Sequence, residues 1–113
     1  MEKELSEAID KIAALNQRVS RVGCNGNRTF NPGWHTAMEL KHMMTVAEAI
    51  ARAAKERKES RGGHFREDFP DKSEKFGNVN IAIRKESDDK MNVTHVPKAT
   101  IREDLQQIIN EMK

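Results

Sequence analysis

A chain of 113 residues with 20 lysines and arginines against 18 aspartates and glutamates carries a net charge of +2. That is too balanced for the basic footprint of a nucleic-acid binder, and the length suits one small domain. Apolar residues make up 36% and charged residues 34%, so the core must be thin and stability is expected to lean on a partner.

The N-terminal stretch MEKELSEAIDKI is charged and helix-like, unlike a signal peptide, and no apolar run in the sequence is long enough to span a bilayer. Any membrane association is therefore expected to run through another subunit. Cys24 is the only cysteine, which excludes an internal disulfide framework and suits a reducing compartment, with the cytoplasm as default. From Leu5, the positions Leu5, Ala8, Ile9, Ile12, Leu15, Val19 and Val22 follow the three-and-four spacing of one helix face. A first helix is predicted over about 4–22, stopped by Gly23 and Gly26. Asn31 before Pro32 has the form of a helix entry, the asparagine capping free amides and the proline standing where its missing N–H costs nothing. Ala37, Leu40, Met44, Ala47, Ile50, Ala51 and Ala54 then keep a helical period, predicting a second helix over about 32–58. Thr45 with Glu48 could restart or kink it. Phe30 and Trp34 flank its start and are expected to staple the first turn, and Met38, Met43 and Met44 suit core filling or a partner surface.

Residues 59–78 fit no period and are expected to form a loop. Val79, Ile81 and Ile83, then Met91, Val93 and His95, alternate around SDDK, so a hairpin is predicted over about 79–96. After Pro97, Thr100 and Glu103 have capping-box spacing ahead of the stripe Ile101, Leu105, Ile108, Ile109 and Met112, predicting a short final helix over about 100–112. The expected fold is mainly α: an antiparallel helical bundle, like a truncated spectrin repeat, with a small β-hairpin and a short C-terminal helix.

Familiar catalytic and ligand-binding spacings are missing. There is no GxGxxG, no phosphate loop and no GxSxG turn. No two of His35, His42, His64 and His95 stand one helical turn apart, and Cys24 has no second cysteine near it, so no metal site is expected. The informative segment is RKESRGGHFREDFP. It can be read as arginines pairing with carboxylates of another surface, with His64 donating across the contact, or as a helix end followed by a solvated charged loop. Use of Arg52, Lys55, Arg57, Lys58, Arg61 and Arg66 on nucleic acid is opposed by the interleaved Glu56, Glu59, Glu67 and Asp68.

The stretch NPGWHTAMELKHMMTVAEAIARAAKERKESRGGHFREDFPDK resembles the C-terminal domain of succinate dehydrogenase and fumarate reductase flavoproteins. Within it KESRGGHFREDFP is similar to that family's ESRGAHxRxDxP signature, with Gly63 where alanine is common. LSEAIDKIAALNQRV is similar to the helix that precedes the signature. L-aspartate oxidase and adenylylsulfate reductase flavoproteins carry a related domain. The resemblance implies a helical domain appended to a flavin-binding domain, in a subunit that passes electrons from succinate to an iron–sulfur partner and sits cytoplasmic and peripheral to the membrane. It also implies that covalently held FAD, the substrate-binding residues and the proton-donating arginine lie upstream, so that no cofactor and no catalytic residue belong to this stretch and the isolated chain is inactive. The resemblance begins after the family domain's own first helix. What carries over by position is an inter-domain docking role for Glu59, Ser60, Arg61, His64, Arg66 and Asp68. A self-associating, stand-alone interaction module that forms a homodimer is the alternative.

Overall fold

A computed structural model describes residues 1–87 and 90–112. Helix α1 (Glu2–Val19) and helix α2 (Pro32–Glu56) pack antiparallel. A short turn of helix, α3 (Glu74–Gly77), leads into strands β1 (Val79–Lys85) and β2 (Met91–Pro97), and α4 (Glu103–Glu111) closes the order.

The start of α2 follows the expected chemistry: the Asn31 side chain accepts the Trp34 amide at 3.2 Å, and Pro32 fills the first turn. Thr45 neither kinks nor restarts the helix, because its hydroxyl donates back to the Lys41 carbonyl while Glu48 is taken by Arg52, one turn on, at 2.7 Å. Helix α1 ends at Val19, short of Gly23. The capping box ahead of α4 does not form either. The helix begins at Glu103 with Arg102 at its cap, and Arg102 pairs with Asp104 instead, so Thr100 lies outside the helix.

The hairpin keeps the register its alternation requires, with Ile81 opposite His95 and Ile83 opposite Val93. That face leans on α2, where His95 Nε2 lies 2.9 Å from Glu56 Oε1 without hydrogen-bond alignment and the imidazole meets the Phe76 ring edge-on at 5.6 Å. The SDDK turn lies partly outside the described residues.

Little is buried. The only apolar side chains in the core among the described residues are Ala51 and Phe76, and the fully buried large side chains are the charged Glu59 and Arg66. A ring such as Phe76 contributes about 2–3 kcal/mol when buried, a small part of what a domain of this length needs, so half-buried helix faces and the charge framework carry much of the rest. The accessible surface is 9185 Å², whereas a compact monomer of 12.9 kDa exposes about 6300 Å². Likewise the radius of gyration is 19.6 Å against about 13 Å for a compact chain of this length. Part of that excess comes from α4, which has no substantial contact with any other element. Its stripe of Ile101, Leu105, Ile108, Ile109 and Met112 is exposed, so α4 does not complete a bundle with α1 and α2.

Candidate docking site at the end of helix α2

Helix α2 stops because Arg57 leaves the helical region, with φ −78° and ψ 98°. This turns the chain back under its own last turn. Arg61 and His64 then bridge each other, the Arg61 amide donating to the His64 carbonyl at 2.8 Å and the reverse bond spanning 3.1 Å. The Gly62–Gly63 tip between them requires a left-handed residue, and Gly62 supplies it at φ +59°. A methyl group on Gly63 would meet nothing within 4 Å, which is why alanine is compatible with that position.

Two buried charges brace this turn. Arg66, 0% exposed, spreads its guanidinium over three segments. Nη1 donates to the Ala54 and Lys55 carbonyls at 3.2 and 2.9 Å, satisfying two of the last carbonyls of α2. Nε and Nη2 form a fork on Asp68 at 2.9 and 2.6 Å, and Nη2 also reaches Glu2 of α1 at 2.7 Å. The cation stacks on the Phe69 ring, 4.8 Å from its centroid. Full satisfaction of an arginine is what makes its burial tolerable.

Glu59, also 0% exposed, accepts from Arg57 Nη1, from Arg61 Nε at 3.1 Å and from the Ser73 amide at 2.8 Å, tying the end of α2 to the start of α3. These donors, Arg61 foremost, outweigh burial and hold the Glu59 carboxyl down at about 2. Asp68 is likewise lowered to about 2 by Arg66, and Glu2 is lowered by the same arginine. The Arg66 guanidinium is in turn pushed further up, first by Asp68. Ser60 completes the brace: its hydroxyl accepts the Arg66 amide at 2.8 Å and donates to the Phe69 carbonyl at 2.8 Å. His64 Nε2 lies 3.1 Å from the Arg57 carbonyl, so that nitrogen carries the proton.

The six signature residues are thus brought together, but differently from the expectation that they reach out. Glu59 and Arg66 have no accessible surface, and every polar bond of His64 and Ser60 given above ends inside this chain. Within the chain the ion pairs of Glu59 and of Arg66 form an internal framework, because burying a charge demands partners close at hand. Arg61, with 39% of its side chain exposed, and Asp68, with 30%, keep an outward edge. What the framework presents outward is the Gly62–Gly63 tip and Phe65, 64% exposed. Phe65 escaped notice in the sequence, although the alternation of Phe65 outward and Arg66 inward is the period-two signal of an extended segment. Nor is the segment structureless, since α3 lies within it. Phe30 does not act as a staple: it is 98% exposed, while Trp34 is half-buried beneath the Arg28 cation.

Among the described residues no group of three or more His, Cys, Asp or Glu converges as a metal site, and no helix is long and apolar enough to cross a membrane. The sheet is a two-stranded antiparallel hairpin.

A two-helix hairpin ending in a braced Arg-Gly-Gly-His turn, followed by a small β-hairpin, defines a mainly helical domain. This chain belongs to the family described as fumarate reductase flavoprotein C-term, whose profile matches residues 1–110. It is 34% identical over 94 residues to the fumarate reductase flavoprotein subunit of Mycobacterium tuberculosis, and 39% identical over 72 residues to L-aspartate oxidase of Yersinia pestis. These matches cover 82% and 64% of the chain but only 16% and 13% of the relatives. The solved structure of Mycobacterium smegmatis Sdh1 in complex with UQ1 superposes with a TM-score of 0.87 at 35% identity, over 96% of this chain and 19% of that one. The chain therefore spans about a sixth of the length of its curated relatives.

Proposed function

We propose that this chain is the buttress of a succinate dehydrogenase or fumarate reductase flavoprotein: it docks on the flavin-bearing body and helps seat the iron–sulfur partner. The chemistry, oxidoreduction between succinate and fumarate with FAD, belongs to the intact subunit, and this chain contributes no catalytic group. The subunit sits peripheral to the membrane on the cytoplasmic side. Residues 1–113 act as one docking domain, with Arg61, Asp68 and the Gly62–Gly63 tip, held in place by Glu59, Ser60, His64 and Arg66, meeting the neighbouring surface.

The observation that carries this reading is the contrast between a rigid, fully satisfied charge framework and an almost empty apolar core. A surface in excess by roughly 2900 Å² over a compact monomer is of the size that obligate interfaces cover. The direct test deletes the matching stretch from the M. tuberculosis fumarate reductase flavoprotein subunit and supplies this chain in trans. The reading expects a one-to-one complex that regains fumarate reductase activity, while the chain alone is colourless and does not reduce a dye with succinate. A chain that forms a stable dimer and never binds the truncated subunit contradicts it and supports the self-associating alternative.

A further inference from the structure

The opposite end of the helical hairpin carries a second feature, 25 residues of α2 away from the signature turn. Between Asp10 and Glu39 the sequence holds no acidic residue but contains Lys11, Arg18, Arg21 and Arg28. The last three are exposed, and none meets a carboxylate among the described residues. On this cationic tip stands Phe30, 98% exposed and held at φ +55°. The loop beneath it is well tied. Asn31 Nδ2 donates to the Asn25 and Asn27 carbonyls, both at 2.9 Å, while its oxygen caps the Trp34 amide. A left-handed backbone is unfavourable for a bulky L-residue, and nothing in this chain repays it by covering the ring.

We propose that this tip is a second attachment point, in which Phe30 enters a ring-sized apolar pocket on an acidic surface of the flavin-bearing polypeptide. This rests on the proposed docking function. Charge sets the sign of the partner surface, since three unpaired arginines favour carboxylates and steer association. Shape sets its kind. A strained backbone that fixes the direction of one ring is rewarded by a pre-formed pocket, whereas a fluid bilayer accepts a ring from any backbone conformation. Size narrows it further. The two ends of α2 lie about 37 Å apart at 1.5 Å per residue, and a single partner must span them. The part of the M. tuberculosis relative outside this match, more than four fifths of its length, forms a body roughly 50–60 Å across if compact.

The test compares the wild-type chain with Phe30→Gly and with Arg18→Glu/Arg21→Glu/Arg28→Glu, titrated against the M. tuberculosis flavoprotein lacking its matching stretch. Glycine accepts the left-handed conformation, so Phe30→Gly is expected to leave the thermal midpoint of the free chain unchanged or raised. Its Kd should weaken about tenfold or more, as for a buried aromatic anchor. The triple reversal should weaken binding further at low salt than at high salt. Wild-type binding with Phe30→Gly within about twofold of it overturns the tip proposal and leaves the docking function standing, whereas no binding by the wild-type chain overturns both. Phe30-dependent sedimentation with vesicles of equal phosphatidylserine and phosphatidylcholine would overturn the choice of a protein pocket.

Discussion

Arg66→Met removes the guanidinium that joins the end of α2, the signature loop and α1, while keeping a side chain of similar reach. The carbonyls of Ala54 and Lys55 lose their donor, and the carboxylates of Asp68 and Glu2 lose the cation they share. Breaking a buried pair from one side costs about 3–5 kcal/mol. The two carboxylates retain some exposure and can rehydrate, which places the loss near the lower end, about 3 kcal/mol. At ~4–8 °C per kcal/mol for a domain of this size, the thermal midpoint should fall by about 12–24 °C. Arg66→Lys should recover less than half of the loss, because an ammonium cannot make the fork on Asp68 while also reaching two carbonyls. Circular dichroism melts of the three proteins, supported by urea titrations, measure this. A loss below about 1 kcal/mol for Arg66→Met, the ordinary cost of a surface change, would refute the view that this arginine is the brace.

Acid should weaken the fold in a defined window. Glu59 and Asp68 sit near 2 in the folded chain against ordinary values of 4.5 and 3.8, and Glu2 is also lowered. The unfolded chain therefore binds more protons as pH falls, so their contribution is complete above about 4.5 and is lost between about 4.5 and 2; urea midpoints that stay flat from pH 5 to 2.5 would contradict this. At the turn tip, Gly63→Ala should be neutral or stabilising by about 0.4–1 kcal/mol, while Gly62→Ala should cost about 1–2 kcal/mol because only Gly62 has a left-handed backbone; equal midpoints for the two variants would be the contrary result. Ending the chain after Lys98 should change the unfolding free energy by less than about 0.5 kcal/mol, since among the described residues α4 makes no substantial contact with another element. A larger loss in a urea melt would mean that α4 packs in solution.

Much of the architecture is legible because it is periodic. The apolar spacing of α1 and α2, the Asn31–Pro32 entry and the Val79, Ile81, Ile83 alternation each state a local preference that the fold obeys. The misread features lack a period. Nothing in the sequence says that Arg66 faces inward, because its partner Glu2 stands 64 positions away and a charged residue in a loop ordinarily faces water. Thr100 and Glu103 have the spacing of a cap, yet Arg102 and Asp104 satisfy each other and the helix starts later. Hydrophobicity assigns Phe30 to a staple, whereas its backbone is left-handed and its ring is 98% exposed. At the site, residue type singles out the segment RKESRGGHFREDFP but does not say which of its groups turn inward. Glu59, Arg61, Arg66 and Asp68 brace, while Gly62, Gly63 and Phe65 between them are exposed.

The central claim is that the braced turn after α2 meets the flavin-bearing body. Amide hydrogen exchange of this chain, free and with the M. tuberculosis subunit lacking its matching stretch, examines that surface directly. Strong added protection is expected across Arg61–Phe65 in the complex, including the amides of the exposed residues Gly62 and Gly63. Exchange in that segment that stays as fast in a saturated complex as in the free chain would contradict it.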